Sequence, residues 1–258
     1  MNLELDRQKK EDMDLHDKKI AHKYETIREI CKFSKHYQEQ WIEEMLNSIP
    51  NTPKKILDYC CGTSILFPFV KNKFGHAKYY GIDISKKMLN VGKKRFGSNK
   101  NFKISQHDGE DLPFLDFFDA AISRGAIHHL PNPSKGLKNI HDSLHKGGFL
   151  VISEPTSNFV VKAFRKILYR LLSHFSSSHK SFTLPELKKL LISNGFKVIK
   201  VRHFGLFAFP FGFPDIIPVF RYVPYLLLRF LEKIDRILLK IPVIRSFSWS
   251  VILVVQKK

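Results

Sequence analysis

The chain has 258 residues, 43% of them hydrophobic, which is enough for one large domain with a substantial core and argues against global disorder. Lys and Arg number 43 against 24 Asp and Glu, and the formal net charge of +19 favours an anionic partner: nucleic acid, a membrane surface or an acidic substrate. The basic residues are spread along the chain, so an ordinary lysine-rich surface is an equal alternative.

Cysteine content and the N-terminal sequence favour a reducing compartment. Three cysteines are too few for a stapled secreted scaffold, and the adjacent Cys60 and Cys61 cannot form an ordinary disulfide with each other. The charged N-terminus lacks the apolar core of a signal peptide, and no run of about 18 apolar residues predicts a transmembrane helix. We therefore expect a cytoplasmic protein, with peripheral attachment to the inner membrane face as an alternative.

Helical and strand patterns alternate through the first part of the chain. After a polar stretch, apolar spacing predicts a helix over 20–46, which two prolines end. Helices are then expected at 64–74, at 85–96 with Ser85 as N-cap, and at 133–145. Strands are expected at 55–59, 78–84, 101–108, 118–123 and 149–155, the last after a turn at 146–148. This alternation predicts βαβ units in a doubly wound, mostly parallel α/β sheet.

The pattern changes after Glu154. A basic amphipathic helix is predicted at 159–175, a capped helix ends at Gly195, and a strand follows it. Residues 204–248 are aromatic, proline-rich and then helical, and the final strand begins at Trp249. We therefore expect an insertion between the last two strands.

The stretch DYCCGTS, Asp58 to Ser64, follows the first predicted strand and opens the first helix after it. Ligands of an open parallel sheet bind beyond the carboxyl ends of its strands, where Gly62 lets the backbone approach a ligand closely. Asp83, 21 residues after Gly62, stands where an acid binds ribose hydroxyls. The turn lacks the glycines of a pyrophosphate site, and Asp58 would repel a pyrophosphate. These residues favour S-adenosylmethionine over NAD as the cofactor. A dehydrogenase is therefore the least favoured of the functions considered.

Over roughly residues 20–155 the sequence resembles the class I S-adenosylmethionine-dependent methyltransferases, in their small-molecule branch of the ubiquinone and menaquinone biosynthesis type. DYCCGTS is similar to the family motif Asp-x-Gly-x-Gly-x-Gly, with Cys60 and Ser64 in place of two glycines. HDGEDLPF, FDAAISRGAIHHLPNP and LHKGGFLVISEP resemble the motifs of the third, fourth and fifth strands. Five motifs in order carry more weight than any one of them.

The resemblance implies a cofactor site. Asp83 would bind the ribose, Ile84 would lie beside the adenine, and Asp108 would lie near the adenine amino group. Tyr24 resembles an N-terminal Ala-x-x-Tyr element that covers the cofactor, with an ordinary helix-face aromatic as the alternative. The implied cofactor-binding residues are Tyr24, Asp58, Tyr59, Cys60, Gly62, Asp83, Ile84, Met88, Asp108, Gly109, Ser123 and Arg124.

The resemblance also implies a seven-stranded Rossmann-like methyltransferase fold. Its parts would be an N-terminal helical lid (1–50), an S-adenosylmethionine-binding core (51–155) and the C-terminal half of the same domain (156–258), with the insertion 204–248. No metal is expected, because a structural zinc site takes four Cys or His ligands at defined spacing and the adjacent cysteines do not provide it.

Methyl transfer needs positioning of the acceptor, and it needs a base only if the acceptor must lose a proton. The candidate catalytic residues are His128 and His129, after the fourth strand, and Glu154, at the end of the fifth. A structural role is the alternative for each of them. The residues after the fourth strand, SRGA, do not match the Asn/Asp-Pro-Pro-Tyr motif of enzymes that methylate base amino groups. A nucleic-acid substrate is therefore not expected.

The insertion contains an amphipathic helix. Its apolar positions are Leu227, Phe230, Leu231, Ile234, Ile237, Leu238 and Ile241, and its charged positions are Arg229, Glu232, Lys233, Arg236 and Lys240. Such a helix can lie in a membrane interface, cover an acceptor pocket or form a dimer. The sequence gives no oligomeric state.

Together these patterns predict an enzyme that transfers a methyl group from S-adenosylmethionine to oxygen or carbon of a small-molecule or lipid-linked acceptor. Peripheral association with an anionic membrane is a further expectation. The alternative is a non-catalytic or weakly active S-adenosylmethionine-binding protein that acts at a membrane or with a partner, and the two replaced glycines motivate it.

Overall fold

The computed structural model describes residues 9, 10, 14, 29–156, 158, 182–214 and 218–258. Within these residues seven strands form one sheet in the order β3-β2-β1-β4-β5-β7-β6, and β7 alone runs antiparallel to its neighbours. The strands are β1 Lys55–Tyr59, β2 Lys78–Asp83, β3 Phe102–Gln106, β4 Phe118–Arg124, β5 Leu144–Pro155, β6 Phe196–Phe204 and β7 Ser250–Lys257. The predicted doubly wound, mostly parallel sheet is confirmed.

Helices cover both faces of the sheet. They are α1 Lys32–Leu46, α2 Phe67–Lys73, α3 Lys86–Phe96, α4 Pro133–Ser143, α5 Leu184–Ser193, α6 Tyr225–Leu238 and α7 Pro242–Arg245. One buried cluster joins α1 and α2 to the sheet, and a second joins α4 and α5 to its other face. Strands buried on both faces explain the continuous apolar runs in the sequence.

Side-chain caps set three of the predicted helix starts. At the start of α4 the Asn132 side chain accepts a hydrogen bond from the Lys135 backbone N–H. The Ser85 hydroxyl accepts a hydrogen bond from the Met88 backbone N–H, as the sequence predicts for the start of α3. Thr183 and Glu186 form a reciprocal capping box at the start of α5, which ends just before Gly195.

Some predicted boundaries were wrong. The predicted turn at 146–148 lies inside β5, where Gly147 has a φ of 78° and the pairing with β4 shifts register. The helix expected from residue 64 begins at Phe67, because a left-handed turn extends to Ser64. Of the helix expected over 20–46, the described residues 29–30 and Lys32–Leu46 are helical with a bend at Cys31. The helix expected at 159–175 lies outside the described residues.

The insertion lies between β6 and β7 and leaves the sheet at the edge where the parallel strands end. Its helix α6 packs against α1, with Leu228, Glu232 and Asp235 buried. Much of the predicted apolar face points outward, since Leu227 and Phe230 are exposed. No helix in the described part of the chain is long and apolar enough to cross a membrane.

Candidate active site

The turn after β1 adopts a conformation that glycine adopts most easily. Cys60, Gly62 and Ser64 all have positive φ values, of 55°, 54° and 61°. Cys60 and Ser64 stand where the resembled motif has glycine, so the chain keeps the glycine backbone with other side chains, at about 1–2 kcal/mol for each left-handed residue. The Cys61 N–H donates to the Ile82 carbonyl at 2.8 Å and ties the turn to β2.

Both thiols of this turn stay protonated. Burial raises the pKa of Cys60 and of Cys61 well above the ordinary range, and neighbouring carboxylates raise it further. Among the described residues, no group of three His, Cys, Asp or Glu side chains could hold a metal ion. The cysteines therefore act here as small, neutral side chains of a tight turn.

Asp58 is a buried carboxyl group below the turn. It is 2% exposed, and the Tyr79 hydroxyl donates a hydrogen bond to its Oδ2 at 2.5 Å. Burial raises the pKa of Asp58 to about 7; the Tyr79 hydrogen bond and Arg124 oppose this shift, and Asp83 adds to it. A cation bound nearby would favour the ionised form of Asp58.

Asp83 ends β2 and faces the same turn. Its carboxylate accepts hydrogen bonds from the backbone N–H groups of Gly62 and Ser85, both at 2.8 Å. Gly81, two residues earlier on β2, packs tightly against the turn, because a Cβ there would lie 2.8 Å from the Cys61 sulfur. These two backbone hydrogen bonds therefore fix the position of the Asp83 carboxylate beside the turn.

The loop after β3 carries two acids that meet a residue from the N-terminal segment. The Lys9 ammonium donates to Asp108 Oδ2 at 2.6 Å and lies 3.1 Å from Glu110 Oε2. Glu110 is buried and accepts from the Asn132 backbone N–H at 2.6 Å. Lys9 thus covers the carboxylate that the resemblance assigns to the adenine end of the cofactor.

Tyr59 has a structural side chain. Its ring is fully buried, and its hydroxyl donates to the Gly109 carbonyl at 2.8 Å. A Cβ at Gly109 would lie 2.4 Å from that hydroxyl oxygen, and one at Gly136 would lie 2.6 Å from it. The two glycines make room for the ring, so any cofactor contact from Tyr59 would come from its backbone.

The end of β4 brings Ser123 and Arg124 to the same edge of the sheet. Ser123 is fully buried, and its hydroxyl has no hydrogen-bond partner within the described residues. The Arg124 guanidinium hydrogen-bonds Gln38 and lies over the Trp41 ring, 4.9 Å from its centroid. Helix α1 therefore closes one side of the site.

Glu154 organises the loop after β4. This carboxyl group is fully buried and accepts from the backbone N–H groups of Ala126 and Ile127 at 3.0 and 2.8 Å. Its Oε2 lies 2.7 Å from His128 Nδ1. Burial raises the pKa of Glu154 to about 7, opposed by these backbone hydrogen bonds and by His129. The result is a carboxylate–imidazole pair at the edge of the sheet.

His128 and His129 share the short 3₁₀ turn Ile127–His129, and their ring centroids are 4.1 Å apart. His128 is buried next to Glu154, and His129 is half-buried. The structure therefore distinguishes two histidines that the sequence could not separate. The side chain of His128 lies within hydrogen-bond distance of Glu154.

Strand register gathers most of the predicted site at one edge. Tyr59 pairs with Ile82 on one side and with Ser123 on the other, and Arg124 pairs with Ser153. Ile84 follows β2, and Met88 lies in the first turn of α3, 3.5 Å from a Cβ placed on Gly62. Tyr24 lies outside the described residues.

Sequence reasoning missed four residues of this region: Lys9, Gln38, Tyr79 and Glu110. Glu110 is part of a quoted motif, but nothing in the sequence pairs it with Asn132. Tyr79 could have been suspected, since Tyr79 and Gly81 alternate on one face of β2, beside Asp58 of β1. The other two depend on tertiary packing alone.

The chemistry of this edge fits a ligand with hydroxyl, amino and sulfonium groups. Carboxylates lie near the ends of β1, β2 and β3, and a buried hydroxyl without a partner in the described residues ends β4. The dinucleotide alternative needs donors for a pyrophosphate, whereas Asp58 places a carboxyl group directly below the turn. The residues present therefore fit S-adenosylmethionine.

Comparison with known proteins gives the same class. The family described as methyltransferase domain matches residues 28–201, more than half of the chain. A demethylmenaquinone methyltransferase of Staphylococcus saprophyticus is 29% identical over 217 residues, which cover 75% of this chain and 92% of that protein. The Staphylococcus aureus (strain JH9) protein of the same name is 28% identical over 219 residues, with 76% and 90% covered.

Solved structures share the fold. A Thermotoga maritima S-adenosylmethionine-dependent methyltransferase has a TM-score of 0.61 and 17% identity, and the match covers 96% of this chain and 99% of that chain. Haemonchus contortus phosphoethanolamine N-methyltransferase 2, in complex with S-adenosylhomocysteine, has a TM-score of 0.59 and 18% identity, with 85% and 52% covered. At these identities the likeness concerns the fold alone.

Proposed function

This chain belongs to the methyltransferase-domain family and is an S-adenosylmethionine-dependent methyltransferase, and from that premise we propose that it methylates a ring carbon of a reduced, isoprenoid-bearing naphthoquinone of the demethylmenaquinone type. The family match confirms the enzyme class, the cofactor and a small-molecule acceptor that the sequence predicted. A non-catalytic binding protein is not favoured.

The observation that carries the acceptor proposal is the Glu154–His128 pair. A phenolic ring carbon becomes a strong nucleophile when the neighbouring hydroxyl group loses its proton, so C-methylation of a quinol calls for a base. We propose the tautomer in which His128 Nδ1–H donates a hydrogen bond to Glu154, itself held by two backbone N–H groups, so that Nε2 is the basic nitrogen. This geometry supports His128 as the base and Glu154 as the group that orients it.

The proposed reaction balances around His128. Bound S-adenosylmethionine supplies a methyl group activated by its sulfonium. His128 takes the quinol hydroxyl proton, and the ring carbon beside the resulting oxyanion forms the new carbon–carbon bond. The hydrogen on that carbon then leaves as a proton while His128 returns its proton to the oxygen. The products are the ring-methylated quinol, the thioether form of the cofactor and one released proton.

We further propose that the cofactor lies over the turn 60–64. Asp83 is proposed to bind the ribose hydroxyls, and Asp108 the adenine amino group once Lys9 has moved away. Asp58 is proposed to favour the cationic end electrostatically from below the turn, and Ser123 to donate its buried hydroxyl. Ile84 and Met88 are proposed to contact the adenine. His129 is proposed to line the acceptor side without acting as the base.

The proposed acceptor also sets where the enzyme works. An isoprenoid side chain keeps such a quinol in a lipid bilayer, so the enzyme would meet it while attached peripherally to the inner membrane face. The net charge of +19 supports attraction to an anionic surface.

A direct test uses a short-chain demethylated naphthoquinol, reduced in place, with S-adenosylmethionine labelled in its methyl group. We expect ring-carbon methylation by the wild-type protein, with loss of about 100-fold or more of the rate in His128→Ala. His145→Ala is the matched control, because His145 is exposed at the opposite edge of the sheet. Label on an oxygen atom, or no transfer to naphthoquinols while another phenol is methylated, would reject the proposed acceptor.

A further inference from the structure

Helix α6 packs on the body of the protein through Leu228 and through its two acidic side chains. The Asp235 carboxylate is buried and accepts hydrogen bonds from three successive backbone N–H groups, those of residues 206–208, at 2.9–3.0 Å. Glu232, also buried, pairs with Arg229, Arg236 and His36 at 2.8–3.1 Å. Both acids of α6 therefore point inward, which is the reverse of an ordinary surface helix.

Many of the apolar side chains of the segment consequently face away from the protein. Leu226 is 80% exposed, Phe230 60%, Ile237 63% and Val243 72%. The exposed large apolar side chains of this region are Val219, Tyr222, Leu226, Leu227, Phe230, Ile237, Ile241, Val243 and Phe247, and we name this set the outer apolar surface. So many exposed large apolar side chains within one segment mark an interaction site.

The charges around the outer apolar surface have one sign. In residues 218–249, all of which the structure describes, the only acids are Glu232 and Asp235, and both are buried. The exposed charged side chains there are Arg221, Lys233, Arg236, Lys240 and Arg245. Bulky apolar groups flanked by cations alone match an anionic lipid surface, into which such a helix sinks by its apolar side.

The same segment lies beside the methyl-transfer site. Gln38 of α1 donates to the Gly212 carbonyl of the segment at 3.1 Å and hydrogen-bonds Arg124 at the end of β4. Trp41, whose ring carries Arg124 above it, stacks on Phe204, the last residue of β6, at 5.1 Å. The insertion that carries the outer apolar surface therefore meets the site at the same end of the sheet.

We propose that the outer apolar surface is a membrane-docking surface that inserts into the interfacial region of an anionic bilayer and presents the active-site edge to it. This inference rests on the proposed lipid-borne acceptor for its purpose, although the geometry that carries it is independent. The inverted helix serves as a fixed interfacial anchor, so a diffusing, isoprenoid-bearing acceptor enters from the lipid rather than from water.

The test is flotation of the full chain with phosphatidylcholine vesicles, with and without phosphatidylglycerol. We expect binding to the anionic vesicles that weakens at high salt. Leu227→Glu/Phe230→Glu should lower the partition coefficient by about 100-fold or more, because it removes two apolar groups and adds two negative charges. Leu115→Glu, at another highly exposed leucine far along the chain from the segment, is the control and should bind as wild type does. Lys233→Glu/Lys240→Glu, which leaves the apolar groups intact, should weaken only the anionic component.

Activity assays separate this inference from the proposed function. The Leu227→Glu/Phe230→Glu variant should keep its rate on a short-chain naphthoquinol in solution and lose it on a long-chain acceptor held in vesicles. If wild type floats but methylates neither acceptor, the proposed acceptor fails and the docking surface stands. If wild type does not float, or the variant floats equally, the docking surface is rejected. If wild type instead forms a dimer that the variant does not form, the surface belongs to a second copy of the chain and the membrane assignment is overturned.

Discussion

Asp58→Asn tests the electrostatics proposed for the cofactor turn. With a pKa of about 7 in the ligand-free protein, Asp58 is about one-tenth ionised at pH 6 and about nine-tenths ionised at pH 8. If the cationic end of the cofactor binds to the ionised form, the apparent Kd should fall roughly tenfold over this interval. The variant has no carboxyl group to ionise, so its Kd should be weaker than that of wild type at pH 8 and nearly flat with pH.

Stability of the ligand-free protein should change in the opposite direction. The pKa of Asp58 is raised on folding, so the protonated form is favoured in the folded state and stability is lost as pH rises from about 4 to above 7. A shift from 3.8 to about 7 corresponds to roughly 4 kcal/mol at pH 8. The unpaired amide N–H₂ of Asn costs about 1–3 kcal/mol of this, so the variant should be about 1–3 kcal/mol more stable at that pH.

Isothermal titration calorimetry at several pH values and thermal unfolding at pH 8 measure both quantities. Glu154→Gln is the matched control, since it alters the other fully buried carboxyl group with a pKa of about 7 but leaves the turn unchanged. A cofactor Kd that does not vary with pH in wild type would refute the reasoning. An unchanged pH dependence in Asp58→Asn would refute it equally.

Three further variants test other parts of the site. Glu154→Gln keeps an acceptor for the backbone N–H groups but no longer stabilises an imidazolium at His128, so kcat should fall by about 100-fold or more while the cofactor Kd stays as in wild type. Steady-state turnover assays measure this change. An unchanged kcat would show that Glu154 is a structural residue. Ser64→Gly relieves a left-handed backbone and should raise stability by about 1 kcal/mol in urea unfolding, whereas a loss would show that the buried hydroxyl outweighs the strain. Gly109→Ala places a methyl group 2.4 Å from the Tyr59 hydroxyl oxygen and should lower stability by about 1–3 kcal/mol, measured in the same way, unless the ring can move at little cost.

Much of the fold was predictable because its signals are local. The alternation of strands and helices, the Ser85 cap and the capped helix before Gly195 each depend on neighbouring residues, and the structure confirms them. The 146–148 stretch was misread as a turn because Lys-Gly-Gly is typical of turns, while in the fold it forms an irregular part of a long central strand. The strand continues through this irregular stretch because Leu144 pairs with Phe118 before it and Phe149 pairs with Ala120 after it.

The site was predictable as a set of positions and less so as a set of roles. The order of the motifs placed Asp58, Asp83 and Asp108 near the ends of neighbouring strands, where the structure has them. Nothing local indicates that Glu154 accepts from two backbone N–H groups of the loop after β4 and pairs with His128 rather than His129. The Lys9 contact joins residues 99 positions apart, a separation that sequence patterns do not resolve.

Helix α6 shows why a periodic pattern gives a face but not its direction. The periodicity predicts the apolar stripe, yet with Glu232 and Asp235 buried much of that stripe, including Phe230 and Ile237, is exposed. The reason is the three backbone N–H groups of residues 206–208, which only an inward-facing Asp235 satisfies. The sequence of the helix alone does not show that these backbone groups need its carboxylate.

Because Asp235 fixes the orientation of α6, the folded protein cannot bury the outer apolar surface by rotating the helix. In detergent-free buffer every molecule therefore exposes this surface, and concentrated samples should self-associate reversibly without unfolding. Mild non-ionic detergent should disperse such clusters and leave the thermal transition nearly unchanged, since the micelle covers a surface that is already exposed. Handling of this protein then calls for amphiphiles, although none of its described helices spans a membrane.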